Sequence, residues 1–198
     1  MSLVETFNQS AFLAVNAGPG TPDSLLLLAQ FSASWLILIV PAILLGLWFL
    51  GGRQGHRQAL FCAMTILIAL GLGVACGTLW FHPRPFMMPL GHTWISHPAD
   101  NSFPSDHGTV MFSAAFALLS LRLRGIGLLV LAAALPVAWA RIFLGVHFPL
   151  DMLGAALISA LSLCVAKVVW QRLGQTLVAL CEALSRRLFS WLPARFTP

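Results

Sequence analysis

The chain has 198 residues, of which 59% are hydrophobic and 9% are charged, and its mean hydropathy is +0.88. Soluble domains carry about 25% charged residues, so this composition excludes soluble globular proteins and disordered proteins. The sequence pI of 9.9 does not indicate a nucleic-acid partner, because the eleven basic residues form no cluster that could follow a nucleic-acid backbone.

The remaining class is an all-α integral membrane protein, a helical bundle with amphipathic helices at both ends. The apolar segments are long and continuous, unlike the alternating strands of a membrane β-barrel. Since a bilayer core needs about 20 apolar residues per helix, residues 1–198 accommodate one domain of about five spans. In chain order we predict an amphipathic surface helix at 3–15 and spans at 25–50 (kinked at Pro41), 59–81, 107–121, 126–140 and 150–166. The connecting segments are a polar turn at 51–57, a loop at 82–106, a tight turn at 122–125 and a connection at 141–149.

The C-terminal segment, residues 172–198, has a different pattern from the spans. Its leucines recur at spacings of three and four, namely Leu173, Leu177, Leu180, Leu184, Leu188 and Leu192. Polar side chains lie off this stripe, namely Arg172, Gln175, Glu182, Arg186 and Arg187. This pattern predicts an amphipathic helix in the membrane interface, with a partner-binding helix as the alternative. The domain therefore divides into an outer-face segment (1–22), a transmembrane core (23–171) and a cytoplasmic tail (172–198).

Basic residues are distributed unevenly between the two sides that five spans would create. Nine of the eleven fall in two short turns and the tail, namely Arg53, Arg57, Arg122, Arg124, Lys167, Arg172, Arg186, Arg187 and Arg195. The positive-inside rule places these segments in the cytoplasm and the N-terminus outside. Only Arg84 and Arg141 fall on the outer side, so these two require another explanation.

The outer ends of four predicted helices carry the ionisable residues of a candidate site, namely Arg84, His107, Arg141, His147 and Asp151. Ionisable groups at membrane depth are costly and usually functional. Two guanidinium groups offer the paired donors that suit the oxygens of a phosphate. A single histidine or arginine at a span end is equally typical of an interfacial or snorkelling side chain, and only the joint arrangement favours a phosphate site.

A second anion-binding element is predicted where the loop enters the third span. Ser105 is predicted to cap that helix, because serine is a favoured N-cap residue. The first N–H groups of a helix have no partner inside it, so a helix N-terminus binds anions. We therefore include Asp106 and Gly108, which follow Ser105, among the predicted phosphate-binding residues.

Two histidines and an aspartate predict the chemistry. His147 and Asp151 are four residues apart, about one helical turn, so Asp151 can accept a hydrogen bond from one ring nitrogen and leave the other free as a nucleophile. His107 is then available to protonate a leaving group. The sequence has no carboxylate cluster or closely spaced histidine pair of the kind that binds a metal, so we predict no metal and no cofactor.

The same residues form an ordered set of three motifs. They are Arg84-Pro85, then Pro104-Ser105-Asp106-His107, then Arg141-x5-His147-x3-Asp151. The chain therefore resembles the type 2 phosphatidic-acid phosphatase superfamily, whose motifs are Lys-x6-Arg-Pro, Pro-Ser-Gly-His and Ser-Arg-x5-His-x3-Asp. The runs at 102–109 and 145–154 are most similar to its undecaprenyl-diphosphate phosphatase branch, the bacitracin-resistance type.

Three positions depart from the motifs of that family. The lysine position is Gly77, the glycine of the second motif is Asp106, and the serine of the third is Ala140. An aspartate within the second motif is familiar in the undecaprenyl-diphosphate branch. The missing lysine removes one phosphate contact, and three nearby histidines are candidates to replace it, namely His82, His92 and His97.

The resemblance implies a role for each matching residue. His147 would attack phosphorus and form a phosphohistidine, and Asp151 would hold its tautomer and stabilise the imidazolium. His107 would protonate the departing oxygen and then activate water. The remaining groups would hold the phosphate oxygens, namely Arg84, Arg141 and the backbone around Ser105.

The function implied by the resemblance is hydrolysis of undecaprenyl diphosphate to undecaprenyl phosphate and inorganic phosphate. The site would lie on the outer face of a bacterial inner membrane, with membrane lipids around the helices; the oligomeric state stays open. Three alternatives remain. They are a phosphatase for another lipid (phosphatidylglycerol phosphate, phosphatidic acid or lipid A), a lipid phosphotransferase, and a small transporter. A transporter would be expected to have ionisable residues in mid-span. The long apolar runs have none, which argues against this alternative.

Overall fold

The computed structural model describes residues 2–188 as a bundle of helices, and within that range it contains no β-strand. The seven α-helices are α1 (Leu3–Val15), α2 (Asp23–Ser34), α3 (Ile39–Leu50), α4 (Gly52–Leu79), α5 (Asp106–Ser120), α6 (Arg124–Phe143) and α7 (Pro149–Leu188). Two short 3-10 turns lie at Leu36–Leu38 and Pro85–Met87. The predicted fold class, an all-α membrane bundle, is confirmed.

Four segments are long and apolar enough to cross a bilayer, namely Asp23–Leu50, Gly52–Leu79, Arg124–Phe143 and Pro149–Leu188. The third predicted span, α5, has 15 residues and is about 22 Å long, which is shorter than a bilayer core of about 30 Å. It is surrounded by α4, α6 and α7, and Met111, Ala115 and Ala117 on it are fully buried. This central helix carries the Pro-Ser-Asp-His motif at its N-terminal end.

The first span is interrupted at a different point from the predicted kink at Pro41. The α-helix stops at Ser34, passes through the 3-10 turn Leu36–Leu38 and restarts at Ile39. Proline has no N–H to bond the carbonyl of residue 37, and its ring would clash with that carbonyl in a continuous helix. Pro41 instead occupies the first turn of α3, where a missing N–H costs nothing. The proline thus causes a break that lies on its N-terminal side.

The predicted polar turn at 51–57 is shorter in the structure. The chain reverses at Gly51 and Gly52, where Gly52 has a φ of +57°, and most of the segment forms the first turns of α4. A Cβ at Gly55 would lie 2.1 Å from the carbonyl oxygen of Leu47. Glycine therefore allows α3 and α4 to meet closely enough for this tight reversal.

The helix boundaries elsewhere extend beyond the predicted runs. Helix α6 begins at Arg124 and continues to Phe143, so Arg141 lies in its last turn and not in the connection. The tail is continuous with the fifth span, because α7 runs for 40 residues, about 60 Å, from Pro149 to Leu188. The leucine stripe, including Leu180, is largely exposed, while Val178 faces the bundle. Leu192 and Arg195 lie outside the described residues.

Helix α1 agrees with the predicted N-terminal helix and packs beside the start of α7. Its N-cap is Ser2, whose side chain accepts a hydrogen bond from the backbone N–H of Glu5. Asn8 accepts a hydrogen bond from the N–H of Leu150 (3.1 Å), and the ring of Phe12 meets the edge of Phe148. These contacts place the first helix against the residues that surround the candidate site.

Candidate active site

The N-terminal end of α5 is built around Ser105, as its sequence predicts. The Ser105 hydroxyl caps the helix by accepting from the N–H of Gly108 (3.4 Å), and its own N–H donates to the carbonyl of Asp151 (3.3 Å). Asp106 follows at the first helical position and is exposed. A Cβ at Gly108 would lie 3.0 Å from the Cβ of Ala155, so glycine allows α5 to approach α7 here. The starts of these two helices are therefore held together.

Asp151 lies in the first turn of α7, and one of its carboxylate oxygens organises the site. Oδ2 accepts from the N–H of Phe148 (2.8 Å), from the hydroxyl of Ser102 (2.5 Å) and from Nδ1 of His147 (3.2 Å). Both Asp151 and His147 are almost completely buried. The predicted spacing of four residues therefore places the carboxylate against one ring nitrogen of the histidine.

Arg84 contacts the other ring nitrogen of His147. Its Nη1 lies 3.0 Å from Nε2 of His147 and donates to the carbonyl of Val146 (2.9 Å). Nε donates to Asp100 (2.7 Å) and Nη2 to the carbonyl of Asn101 (3.1 Å). Every nitrogen of this guanidinium is thus engaged, and the loop at 82–106 is held against the site by an arginine that the motif identifies.

These contacts define the state of the His147 ring. Because Asp151 accepts at Nδ1 and Arg84 donates at Nε2, the proton of the neutral ring lies on Nδ1 and the lone pair on Nε2. Burial lowers the pKa of His147 to about 4, and the hydrogen bond to Asp151 offsets part of that effect. The ring is therefore neutral at neutral pH, and its Nε2 lone pair is available as a nucleophile.

Arg141 and His107 complete the group of cationic and titratable side chains. The buried guanidinium of Arg141 makes no hydrogen bond within residues 2–188, and its Nε is a buried donor without a partner there. Arg84 and Arg141 repel each other electrostatically. His107 is half-buried in the first turn of α5, where both arginines and His147 act on it electrostatically. The site combines unsatisfied donors with excess positive charge, as an anion site requires.

A sequence model described as the PAP2 superfamily matches residues 57–175, which is more than half of the chain. The chain belongs to the PAP2 superfamily. The matched segment contains all three motifs and the site residues described above.

Two relatives extend this PAP2 match beyond the core. The chain is 36% identical over 193 residues to the "Putative undecaprenyl-diphosphatase YbjG" of Escherichia coli, covering 98% of this chain and 97% of that protein. It is 34% identical over 129 residues to the "Undecaprenyl-diphosphatase BcrC" of Bacillus subtilis, covering 65% and 66% of the two chains. The branch indicated by the motifs is thus the branch in which these similar sequences are found.

Two solved structures share the PAP2 fold. The superposition with Aquifex aeolicus LpxE has a TM-score of 0.63 at 21% identity, covering 81% of this chain and 94% of that one. The superposition with a Bacillus subtilis transmembrane PAP2 type phosphatidylglycerolphosphate phosphatase has a TM-score of 0.58 at 19% identity, covering 87% and 88%. At these identities the likeness concerns the fold. Together with the four apolar helices, it identifies the chain as a multi-pass membrane protein.

The structure shows which side chain lies beside Gly77, the position of the missing PAP2 lysine. A Cβ at Gly77 would lie 2.7 Å from Nδ2 of Asn101, so the Asn101 side chain occupies the space beside this position. That side chain accepts from the N–H of His82 (2.6 Å) and donates to the carbonyl of Phe103. Asn101 also supplies the carbonyl that holds Arg84. Glycine at 77 is therefore required by an asparagine that fixes the conformation of the loop.

The three histidines considered as lysine substitutes are in different surroundings. His92 is exposed and contacts its surroundings through its backbone. The His97 ring lies 6.1 Å from the His147 ring, and burial lowers the pKa of His97. His82 is buried, with Nδ1 lying 3.8 Å from Oδ1 of Asp151. Only His97 and His82 are therefore near the site.

Sequence reasoning missed several residues that shape this site, namely Glu5, Asp100, Asn101 and Ser102. Each acts through a contact with a residue distant in the sequence, such as Ser102 with Asp151. No local pattern distinguishes Ser102 from the other hydroxyl residues in the loop. Within residues 2–188, no three histidine, cysteine or acidic side chains are grouped so as to hold a metal ion.

Proposed function

We propose that this protein hydrolyses undecaprenyl diphosphate to undecaprenyl phosphate and inorganic phosphate through a phosphohistidine intermediate. The observation that carries the proposal is the buried His147, whose Nδ1 faces Asp151 and whose Nε2 faces an arginine donor. A neutral histidine whose Nδ1 proton is hydrogen-bonded to a carboxylate can attack through its Nε2 lone pair. This lone pair points towards an anion that binds the arginine guanidinium. The undecaprenyl-diphosphatase names of the YbjG and BcrC relatives supply the substrate.

The first half-reaction transfers the terminal phosphoryl group to the protein. Nε2 of His147 forms a bond to the terminal phosphorus, and the bond from that phosphorus to the bridging oxygen breaks. Asp151 stabilises the positive charge that develops on the ring, since its Oδ2 stays on Nδ1–H. His107 gives its proton to the bridging oxygen, and undecaprenyl phosphate then leaves more readily than it would with that oxygen unprotonated.

The second half-reaction regenerates the protein. Water attacks the phosphohistidine phosphorus, His107 takes the proton that water loses, and the bond between Nε2 and phosphorus breaks. The products are inorganic phosphate and neutral His147, and water is the one additional reactant consumed. Negative charge on the transferred oxygens is stabilised by donors that are already in place, and electrostatic preorganisation of this kind is usually the largest contribution to catalysis.

The oxygen-binding groups in this proposal are Arg84, Arg141 and the N-terminus of α5. Arg141 has free donors within the described chain, while Arg84 exchanges its contact with Nε2 for a phosphate oxygen. At the helix end, the N–H of Gly108 donates to the capping hydroxyl of Ser105, and the N–H of Asp106 is one of the first-turn donors that have no partner inside the helix. The dianionic terminal phosphate relieves the repulsion between the two arginines.

We place the site on the outer face of a bacterial inner membrane, within one membrane-embedded domain of residues 1–198. The nine basic residues of the turns and tail support this orientation, since they would lie in the cytoplasm. The prenyl chain would lie along the apolar outside of the bundle. A groove of about 280 Å³ beside Val74, Phe103 and Pro104 opens next to Asp100 at the site and offers one such surface.

The test is phosphate release by purified protein in detergent, with EDTA present and a panel of lipid phosphates. We expect release from undecaprenyl diphosphate, a smaller rate on phosphatidylglycerol phosphate, phosphatidic acid and lipid A, and a radiolabelled phosphoprotein that is stable to base and labile to acid. His147→Ala should abolish both release and labelling, while His92→Gln, on an exposed ring, should change neither. Full activity of His147→Ala would exclude the mechanism, and a preference for another lipid would exclude the substrate.

A further inference from the structure

Two buried polar atoms in the site face each other and have no other partner within residues 2–188. They are Oδ1 of Asp151 and Nδ1 of His82, which lie 3.8 Å apart. Leaving a buried polar atom without a hydrogen bond costs about 1–3 kcal/mol, so two such atoms at this separation call for an explanation. His82 belongs to none of the three motifs.

The two oxygens of the Asp151 carboxylate differ in the number of hydrogen bonds that they accept. Oδ2 accepts three hydrogen bonds, from Phe148, Ser102 and His147, whereas Oδ1 accepts none from residues 2–188. A carboxylate can rotate so that its oxygens exchange partners, and then Nδ1 of His147 would lose its fixed acceptor. A donor opposite Oδ1 would hold the carboxylate in one orientation, and Nδ1 of His82 lies 3.8 Å from this oxygen.

The other ring nitrogen of His82 faces a second carboxylate. Nε2 lies 3.4 Å from Oε2 of Glu5 on α1, and Oε1 of Glu5 accepts from Gln9 (2.9 Å). The His82 ring also lies between two aromatic rings, with centroids 5.2 Å from Trp80 and 5.4 Å from Phe148. The ring is therefore fixed in a position where each of its nitrogens points towards a negatively charged oxygen.

A neutral ring does not fit these surroundings. A proton on Nδ1 alone would direct the Nε2 lone pair at Glu5, and a proton on Nε2 alone would direct the Nδ1 lone pair at Asp151. Only a ring with protons on both nitrogens offers a donor to each carboxylate. The charged groups that face His82 are Glu5 from α1 and Asp151 from α7, with Arg84 two residues along its own loop.

We propose that His82, protonated on both nitrogens and held by Glu5, is a positioning residue that fixes the Asp151 carboxylate behind His147. The cation neutralises part of the charge on Asp151 and so favours the neutral, nucleophilic form of His147 before attack. This arrangement also makes α1 a part of the active site, because that helix carries Glu5, whose carboxylate holds His82. This inference rests on the proposed hydrolysis only for its kinetic consequences, while the protonation state of His82 is independent of substrate.

The kinetic test compares His82→Gln and Glu5→Gln over pH. His82→Gln should lower kcat about tenfold at neutral pH and move the acid limb of kcat/KM upward by about one pH unit, because Asp151 then acts on His147 without a compensating cation. Glu5→Gln should show a smaller shift in the same direction. The kcat of the double variant should be no lower than that of His82→Gln, since both changes remove the same interaction between His82 and Glu5.

Two matched controls separate positioning from a merely structural role. His92→Gln removes an exposed ring, and Asp23→Asn removes an exposed carboxylate from the start of α2, so both should keep the wild-type profile. Loss of packing alone would lower kcat and kcat/KM by the same factor at every pH and would leave the acid limb in place. An unmoved acid limb in both site variants, or strictly additive effects in the double variant, would overturn the inference.

A measurement without substrate distinguishes this inference from the proposed function. In protein labelled with ¹⁵N-histidine, the resonance that disappears in His82→Gln should be that of a doubly protonated ring at pH 7.5, and Glu5→Gln should shift it towards the neutral form. A single-proton tautomer at that pH would overturn the inference, whatever lipid the protein hydrolyses. An inactive wild-type protein with a doubly protonated His82 would refute the proposed function alone.

Discussion

Replacing Asp151 with asparagine isolates the contribution of one negative charge. In the structure, Oδ2 receives three donors while Oδ1 receives none within the described residues. The amide oxygen of Asp151→Asn can occupy the Oδ2 position and keep the hydrogen bonds from Phe148, Ser102 and His147. The change therefore removes the charge while preserving most of the hydrogen-bond geometry.

The size of the effect follows from the distance between the two groups. When His147 attacks phosphorus, its ring becomes positively charged 3.2 Å from Oδ2. Two unit charges at that separation attract by about 5 kcal/mol with an effective dielectric constant of about 20. Each 1.36 kcal/mol changes a rate tenfold, so we expect kcat to fall by about 10³–10⁴-fold.

The assay is single-turnover phosphate release from undecaprenyl diphosphate, together with trapping of the phosphoprotein. Phosphohistidine should form at the reduced rate, while substrate affinity changes little, because the interaction strengthens mainly in the transition state. Asp23→Asn, which removes an exposed carboxylate at the start of α2, is the matched control and should behave as wild type. A fall in kcat of less than tenfold in folded Asp151→Asn protein would refute the assigned role of the charge.

Two further predictions concern pH and the missing lysine. Since burial lowers the pKa of His147 to about 4 and attack needs the neutral ring, kcat/KM should fall only as pH drops through about 4; an acid limb near 6.5 would contradict this. Gly77→Lys should lower activity, because its Cβ would displace Asn101 and break a part-buried hydrogen bond worth about 0.5–1.5 kcal/mol. Gly71→Ala, where an added Cβ meets no atom within 4 Å, is the control, and tighter phosphate binding by Gly77→Lys would contradict the argument.

The parts of the site that the sequence predicts are those that depend on local spacing. The capping of α5 by Ser105 involves a residue three positions away, and the contact between His147 and Asp151 spans four positions. Such spacings have a direct meaning on or beside a helix, so they can be interpreted without knowing the fold. The membrane-spanning pattern is likewise local, because apolar runs reflect the bilayer around each helix.

The contacts that the sequence does not predict join distant segments. Ser102 reaches Asp151 across 49 residues, and Glu5 reaches His82 across 77. Neither residue stands in a pattern that distinguishes it from neighbouring polar residues, so only the packing of the loop and α1 against the helix ends reveals them. The same holds for the break before Pro41, since the sequence shows a proline but not which side of it unwinds.

The two arginines that the charge distribution distinguishes from the other basic residues differ in the structure. Arg84 is committed through all three guanidinium nitrogens, to Asp100, to backbone carbonyls and to His147. Arg141 is equally buried, but its guanidinium makes no hydrogen bond within residues 2–188. A buried guanidinium without hydrogen-bond partners is expensive, and a phosphate dianion is the partner that its geometry suits. In the proposed mechanism, Arg84 would therefore hold the nucleophile and the loop before substrate binds, whereas phosphate binding would offset the free-energy cost of burying Arg141.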